Sequence, residues 1–383
     1  MGVNLLKTIS LKIESKQDSI FTYPVNRQRA YIASLGTPRD ELERGYFQFL
    51  CQMKLYGGLL ATVLNIAALP VSLAYLFKAK SSAAEPTEQS DCIFVNNGLP
   101  ENIVPNSLKE QYGVIKAVSS QNRCLDEQDL AFLKTLFKRY PFSWLLWLKV
   151  IYKLSSYSYV IKQYQPKALL CCDEFSFTSS IMTSYCRSKG VKLINVMHGE
   201  KLYFMRDAFV CYDQYFVWDS YYAKLLIDMG ADKDQFQIEQ PDSLIIRDPV
   251  DSAKLYDYTY YLAAEDEAVL KKIAESLQAL SDKGMRISVR PHPRYSDMSL
   301  VEKIFTFADI EDTGTLTIQQ SLLQTHAAIS LYSTVLTQAI CNQIPIVIDD
   351  ISNPTHFAKL KELQYVCLSK EHKLLSQVVE GTL

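Results

Sequence analysis

The sequence lacks the short signatures that usually mark a metal site or a nucleotide cofactor. No two of its nine cysteines form a C-x-x-C pair, so neither a zinc ribbon nor a thioredoxin-like redox site is expected. Neither a P-loop sequence nor G-x-G-x-x-G occurs, which removes the two common phosphate-binding fingerprints. Because no metal-ligand spacing is present either, we expect a reaction that needs neither a metal nor a cofactor.

The sequence also lacks an excess of positive charge. Its 40 basic and 42 acidic residues give a formal net charge of −2, whereas a general nucleic-acid binder carries a basic excess. The first residues contain neither a long apolar core nor a small-residue cleavage site, so no secretory signal is predicted. The charge balance therefore predicts no nucleic-acid partner. The scattered cysteines suit buried thiols in the reducing cytoplasm.

The pattern of strands and helices predicts two α/β domains. The chain has 383 residues, of which 48% are apolar, a length that suits two cores. From residue 160 onward, short buried strands alternate with helices, and the alternation restarts after the polar stretch 242–257. Such alternation is typical of parallel, doubly wound sheets. We therefore predict an N-terminal domain at 1–240 and a C-terminal domain at 241–383.

One segment, residues 55–77, runs for 23 residues without a charge. Its length allows a membrane span, but a glycine pair, an asparagine and Pro70 interrupt it, and two short helices bent at Pro70 fit as well. Three placements stay open: the protein core, one leaflet of a membrane, or a full span. A Lys-Ala-Lys sequence follows and suits an anionic cytoplasmic leaflet. A second apolar stretch, 142–154, fits either a lipid interface or a core helix.

Four polar clusters follow predicted strands, at the edge where open α/β sheets bind ligands. The first two belong to the N-terminal domain, and the other two belong to the C-terminal domain. In chain order they are Asp173-Glu174 after 167–172, His198-Gly199-Glu200 after 191–197, Arg290 to Arg294 after 286–289, and Tyr332-Ser333-Thr334 after 327–331. We take these clusters as the candidate site.

The C-terminal clusters have the residue types of a phosphate site. In Arg290-Pro291-His292-Pro293-Arg294, the prolines fix φ and hold the histidine, and arginine's planar fork matches phosphate oxygens. Ser333 and Thr334 open a predicted helix, whose free N–H groups and dipole favour an anion. The simpler interpretations are a surface turn for the basic loop and an N-cap for the Ser-Thr pair.

The N-terminal clusters supply candidate general bases. Asp173 or Glu174 is placed to take a proton from an acceptor hydroxyl, and Glu174 has the longer reach. Each acid also fits a helix N-cap or a solvated side chain. His198 is the alternative base, or else a residue that orients the substrate. The residues alone leave the choice among these three open.

The pair His292-Pro293 with the downstream pair Ser333-Thr334 resembles the motifs of bacterial sialyltransferases and polysialyltransferases with the GT-B fold, and is similar to those of capsule Kdo transferases. The resemblance implies two Rossmann-like domains facing across a cleft. It implies that an acidic motif, here Asp173-Glu174, carries the base, and that His292, Ser333 and Thr334 hold the phosphate of a CMP-activated sugar. The glycine that follows the acids in that family is Phe175 in this sequence.

A second resemblance rests on His198-Gly199 followed by His292-Pro293, an order similar to that of the CDP-glycerol glycerophosphotransferases of teichoic-acid synthesis. Both resemblances cover residues 165–350. We also expect contacts with the nucleotide or substrate from His198, Gly199 and Pro293. The charge of Arg290 or Arg294 and the polar cluster that begins at Tyr332 add to this set.

The expected function is an inverting, metal-independent transfer of a nonulosonic sugar (sialic acid, a pseudaminic acid-like sugar or Kdo). The donor is a CMP-sugar, and the acceptor is a bacterial surface glycan or a lipid-linked glycan. The expected location is the cytoplasm, with peripheral contact at the inner face of the membrane. Three alternatives are a glycerophosphotransferase with His198 as base, a sugar-nucleotide epimerase that needs no acceptor, and an inactive membrane-associated scaffold, which Phe175 favours.

Overall fold

The computed structural model describes residues 18–80, 84, 86, 88–95, 98, 101–119, 122–173, 177–247 and 254–381. The chain divides into two compact units. The first unit runs to His198 and continues over Tyr203–Pro241, and the second comprises Gly199–Leu202 and Asp242–Leu383. The main division thus lies one residue from the boundary predicted at 240, and the second unit also takes four residues from the first half of the chain.

The first unit is built on a parallel six-stranded sheet. Its strands are β1 (Cys92–Val95), β2 (Lys116–Val118), β3 (Ala168–Cys171), β4 (Lys192–Val196), β5 (Gln214–Val217) and β6 (Phe236–Ile238). They lie in the order β2-β1-β3-β4-β5-β6. Strands β1 and β3 are buried over their whole length, as expected where both faces of a parallel sheet are covered. The strand order reverses between β1 and β3, which makes this the switch point of the sheet.

Eight α-helices accompany this sheet in the described part of the first unit. They are α1 (Val25–Leu35), α2 (Glu41–Tyr56), α3 (Gly58–Lys80), α4 (Asn106–Tyr112), α5 (Glu127–Arg139), α6 (Trp144–Tyr164), α7 (Ser179–Ser188) and α8 (Ser220–Asp228). Acidic residues cap the N-termini of several of these helices. Asp40 accepts the N–H of Glu43 at 2.9 Å, and Asp126 accepts that of Asp129 at 2.8 Å, which satisfies N–H groups that have no intrahelical partner.

Helix α3 corrects two expectations about residues 55–77. It is one continuous helix, not two helices bent at Pro70. Its small buried residues Ala61, Ala68, Ser72 and Ala79 lie on both sides of the proline, and the helix packs on α6. Packing therefore holds the helix together where one backbone bond is lost. Only 17% of its most apolar 18-residue stretch is buried. Placement in the protein core is therefore wrong.

The second unit has its own parallel six-stranded sheet. The strands are β7 (Tyr256–Tyr261), β8 (Ile287–Arg290), β9 (Asp309–Ile310), β10 (Thr325–Ser330), β11 (Ile346–Ile348) and β12 (Lys373–Leu374). The helices are α9 (Glu267–Ser281), α10 (Met298–Ile304), α11 (Ile318–Gln324), α12 (Thr334–Cys341), α13 (Pro354–Glu362) and α14 (Leu375–Glu380). Apolar residues of α9, including Ile273 and Leu277, pack with Ile287 and Val289 of β8 in the core.

The strand order of the second sheet is β12-β11-β10-β7-β8-β9. Numbered along the chain, this is the order of a Rossmann sheet, with its switch point between β7 and β10. All its strand pairs are parallel. The prediction of two parallel α/β domains of the Rossmann type is confirmed.

Candidate functional site

The basic loop after β8 is a tight turn closed by its own backbone. The carbonyl of His292 accepts N–H bonds from Tyr295 at 3.3 Å and from Ser296 at 3.2 Å. Pro293 occupies the second position of this turn, where its fixed φ fits. The His292 N–H donates to the Ser296 hydroxyl at 2.8 Å. These bonds hold the histidine in place, as the flanking prolines suggested.

The environment of the His292 ring fixes its tautomer. Its Nδ1 accepts the backbone N–H of Arg294 at 3.1 Å, and the ring stacks on Tyr295 with centroids 4.5 Å apart. An accepting Nδ1 places the proton of the neutral ring on Nε2. Burial and the neighbouring Arg294 charge lower the pKa of His292. The ring is therefore neutral near pH 7 and offers Nε2–H as a hydrogen-bond donor.

The two arginines of this loop have different environments. Arg290 is 5% exposed and donates to Glu311 at 2.8 Å and to the carbonyl of Leu316 at 2.8 Å. Glu311, also buried, accepts the hydroxyl of Ser288 at 3.1 Å as well. Both terminal nitrogens of Arg290 are thus committed to the protein, which does not fit the predicted phosphate contact. Arg294 is exposed and is the cation that this loop presents to solvent.

Ser333 and Thr334 have separate roles at the start of α12. The Ser333 hydroxyl accepts the N–H of Val335 at 3.2 Å, so the N-cap interpretation holds for this residue. Its carbonyl accepts the hydroxyl of buried Tyr365 at 3.1 Å, and the Tyr365 ring meets the Tyr332 ring edge-on at 5.2 Å. Thr334 is exposed and is the first helical residue. First-turn N–H groups have no intrahelical acceptor, so this position favours an anion.

The loops after β8 and β10 flank the loop after β7, because β7 lies between those strands. Neighbouring strands are about 4.8 Å apart, so the outer two loops begin roughly 10 Å from each other. That distance lets one phosphate-bearing ligand at the β7 end reach both loops. The second unit therefore brings the basic loop and the start of α12 together at its switch point, where Rossmann sheets bind ligands.

Glu265 lies in this central loop and was missed from the sequence. Helix α9 begins at Glu267 and Asp266 is its N-cap, so Glu265 lies before the helix. The Glu265 carboxylate accepts the Ala263 N–H at 2.8 Å. Burial raises its pKa, and nearby Asp349 adds to the rise. The signal that would have identified it is an acid in the loop that follows a strand, because β7 ends at Tyr261.

The short segment Gly199–Leu202 belongs to the second unit. Its Glu200 carboxylate accepts a hydrogen bond from the Thr337 hydroxyl of α12. Lys201 in the same segment is 1% exposed. These contacts show that the residues after the His198-Gly199 pair are built into the second unit.

Asp173 lies at the switch point of the first sheet, after β3. Its backbone N–H donates to Asn195 at 2.9 Å. Its carboxylate accepts the Tyr157 hydroxyl at 2.8 Å and pairs with Lys153 at 2.5 Å. Burial alone would raise the pKa of this carboxyl, but Lys153 and Tyr157 outweigh burial and lower the pKa below its usual value. Asp173 is therefore a weak base with two donors already bound.

The other N-terminal candidates are placed as follows. Strands β3 and β4 are neighbours, with Cys171 opposite Asn195, so His198 lies just beyond the strand next to that of Asp173. Glu174, like Phe175, lies outside the described residues. Within the described residues, no group of three or more His, Cys, Asp or Glu side chains is arranged to hold a metal ion.

No protein-family model matches the chain, and no curated protein matches its sequence. Solved structures do match. MnaA of S. aureus in complex with UDP is 11% identical with a TM-score of 0.44, over 74% of this chain and 92% of that chain. A variant of the wall teichoic acid polymerase TagF soaked with CDPG is 10% identical with a TM-score of 0.39, over 79% of this chain and 78% of that chain. The lipopolysaccharide outer core galactosyltransferase WaaB is 12% identical with a TM-score of 0.38, over 77% of this chain and 94% of that chain.

Proposed function

We propose that the protein is a metal-independent transferase whose donor is a nucleotide-activated sugar, with the donor phosphate bound at the β7–β10 switch point. The proposal is supported by the strand order, which places three donors in the loops at this edge: His292 Nε2–H, the exposed guanidinium of Arg294, and the start of α12 at Thr334. Their hydrogen atoms and positive charge suit the negative charge that grows on a departing phosphate.

The donor that we propose is a CMP-activated nonulosonic sugar, supported by the order of the His-Pro and Ser-Thr motifs. In this reaction the acceptor hydroxyl oxygen attacks the anomeric carbon from the face opposite the phosphate. The bond from that carbon to the phosphate oxygen breaks, CMP leaves with the electron pair, and the acceptor proton passes to a base. The sugar centre is inverted. We propose a surface glycan or lipid-linked glycan as acceptor, reached from the cytoplasmic face of the membrane.

We propose Glu174 as the base, with Asp173 as its fixed neighbour. The Asp173 carboxylate is occupied by Lys153 and Tyr157, and its pKa is lowered. A base works best when its pKa lies near the working pH, so Asp173 is the poorer candidate of the acidic pair. Its ion pair with Lys153 and its hydrogen bond from Tyr157 instead hold this strand end in place.

Because Asp173 is a poor base, a second candidate function uses His198 in its place. If His198 takes the proton, the chemistry suits a CDP-glycerol-type phosphotransferase. The acceptor hydroxyl would then attack phosphorus, the bond to the bridging oxygen would break, and CMP would again leave. The transferred group would be glycerol phosphate in place of a sugar.

The two functions differ in product and not in the nucleotide released. We would incubate the protein with CMP-sialic acid, CMP-Kdo or CDP-glycerol together with oligosaccharide and lipid-linked acceptors, and follow both CMP release and product mass. The proposal expects a CMP-sugar to give a product heavier by one sugar, with no activity in a His292→Ala variant. Glycerol phosphate transfer would support the second function. Conversion of a UDP-sugar without any acceptor would indicate an epimerase and contradict both.

A further inference from the structure

The outer face of α3 is an unusual apolar surface. The side chains opposite its contact with α6 form one stripe along the helix, and their exposed fractions are high: Leu59 83%, Val63 52%, Ile66 58%, Leu73 47% and Phe77 73%. Phe142, just before α6, is 77% exposed as well. Contiguous apolar surface of this kind marks a site of interaction with a partner or a membrane.

Three polar side chains of α3, those of Thr62, Asn65 and Ser72, are hydrogen-bonded within the first unit. Asn65 donates to the carbonyl of Phe142 at 2.8 Å and accepts the N–H of Leu145 at 3.0 Å. The hydroxyls of Thr62 and Ser72 donate to carbonyls one turn earlier, at 2.8 and 2.7 Å. A lipid environment requires this, because hydrocarbon offers no partner to an open polar group. A protein interface, by contrast, is normally ringed by polar groups that the partner satisfies.

Positive charge borders this face. Lys78 and Lys80 are exposed at the end of α3. A crevice of about 370 Å³ separates α3 from α5 and is lined by Leu76, Leu130, Leu133 and Phe137, with Lys134 and Lys138 at its edge. Both crevice lysines are exposed and lie one turn apart. An apolar surface bordered by lysines complements a leaflet with anionic headgroups.

The packing of α3 determines how it meets a membrane. Its buried residues extend from Ala61 to Ala79, so one side of the helix stays on the protein from end to end. Near the C-terminal end of α3, Leu125 donates its N–H to the Ala79 carbonyl at 3.1 Å. A helix bound to its own domain along its full length, about 35 Å at 1.5 Å per residue, is not able to cross a bilayer without that domain. It is able to lie in the plane of one leaflet.

We propose that the outer face of α3, with the crevice beside Lys134 and Lys138, docks on an anionic lipid bilayer, and that α3 lies parallel to the membrane. This inference does not depend on the nucleotide site. The docked surface is nevertheless connected to the candidate acceptor side, because α6 packs on α3 and also carries Lys153, the partner of Asp173.

Vesicle sedimentation of the purified full chain tests the docking. We would compare phosphatidylcholine vesicles with vesicles that contain a third of phosphatidylglycerol. The triple variant Leu59→Ser, Ile66→Ser, Phe77→Ser should bind the anionic vesicles at least tenfold more weakly than wild type. The matched control Val114→Ser, Ile238→Ser, Met285→Ser removes exposed apolar side chains elsewhere and should bind within twofold of wild type.

The charge contribution has its own variant. Lys134→Gln, Lys138→Gln should lose most of the preference for anionic over neutral vesicles while the stripe is intact. Circular dichroism and light scattering establish that each variant is folded and monomeric. The proposal is overturned if wild type does not sediment, or if both triple variants bind equally. It is also overturned if wild type is a dimer that the α3 variant alone dissociates, which would make the face a contact between copies.

The orientation is tested with spin labels at position 59, 66 or 77, each introduced as a single cysteine. Seven of the nine natural cysteines are buried, so replacing Cys172 and Cys341 with serine leaves the new thiol as the reactive one. Equal immersion depths at the three positions are expected for a helix parallel to the membrane. A steady change in depth from 59 to 77 would show a spanning helix and contradict the proposal.

Discussion

The carboxyl edges of the two sheets hold their polar groups in opposite ways. At the first edge, Asp173 is already engaged by Lys153 and Tyr157. At the second edge, Arg294 and Thr334 are exposed, and the His292 ring is fixed so that it presents a donor. The first edge is an internally neutralised acid. The second edge presents donors on either side of Glu265, whose carboxylate accepts the Ala263 N–H.

This difference indicates what each edge is suited to bind. A carboxylate with a lowered pKa and two bound donors neither attracts an anion nor accepts a proton readily. Donors collected at a Rossmann switch point attract a phosphate. We therefore propose that the nucleotide binds to the second unit and that a residue other than Asp173 takes the proton.

The largest expected effect concerns that residue. Glu174→Gln should lower the transfer rate about 10²–10⁴-fold, the usual contribution of a general base, while CMP affinity stays within twofold. CMP release under saturating donor, together with calorimetry, measures both quantities. His198→Asn is the matched variant. If His198→Asn lowers the transfer rate while Glu174→Gln does not, the base is His198. That result would support the glycerophosphotransferase interpretation.

The second prediction separates the two arginines of the basic loop. Arg290→Met should destabilise the second unit by about 3–5 kcal/mol, because it leaves the buried Glu311 carboxylate without its cation. Arg294→Met should change the free energy of unfolding by less than about 0.5 kcal/mol, as exposed substitutions usually do, and should weaken CMP binding. Denaturant unfolding and calorimetry provide the two readouts. Equal stability losses would contradict the assignment of Arg290 to the interior.

The third prediction tests the ion pair of the first edge through pH. The folded pKa of Asp173 is lowered, whereas its unfolded value is near 3.9. Its contribution to stability is therefore present above about pH 4 and is lost as pH falls through the folded pKa. Lys153→Met should cost about 1–3 kcal/mol at neutral pH and make the acid part of the stability curve shallower. An unchanged curve would show that the pair contributes nothing.

The smallest expected effects distinguish the N-cap role of Ser333 from the phosphate contact proposed for Thr334 at the start of α12. Ser333→Ala should destabilise the second unit by about 1 kcal/mol, the usual cost of losing an N-cap. Thr334→Val should leave stability nearly unchanged and weaken CMP binding several-fold, about 1 kcal/mol for one hydrogen bond. Thermal unfolding and calorimetry on both variants check this. A binding defect only in Ser333→Ala would place the phosphate elsewhere.

The sequence was sufficient to predict the sheets but not how each polar side chain is used. Short buried apolar runs such as β3 and β10 mark strands, and strand ends mark ligand edges. It gave no means to distinguish Arg290 from Arg294, because the partner of Arg290 is Glu311, which directly follows β9. Charge-free residues 55–77 suited core and membrane equally, since only the packing on α6 shows which face is covered.

The central claim is that the second sheet edge holds the phosphate of the donor nucleotide. Calorimetric titration of CMP into wild type and His292→Ala tests it most directly, with UDP as the competing nucleotide. We predict saturable CMP binding that the substitution weakens about tenfold or more, equal to at least about 1.4 kcal/mol, with folding unchanged. Equal CMP affinities in the two proteins, or no binding of CMP to wild type, would contradict the account.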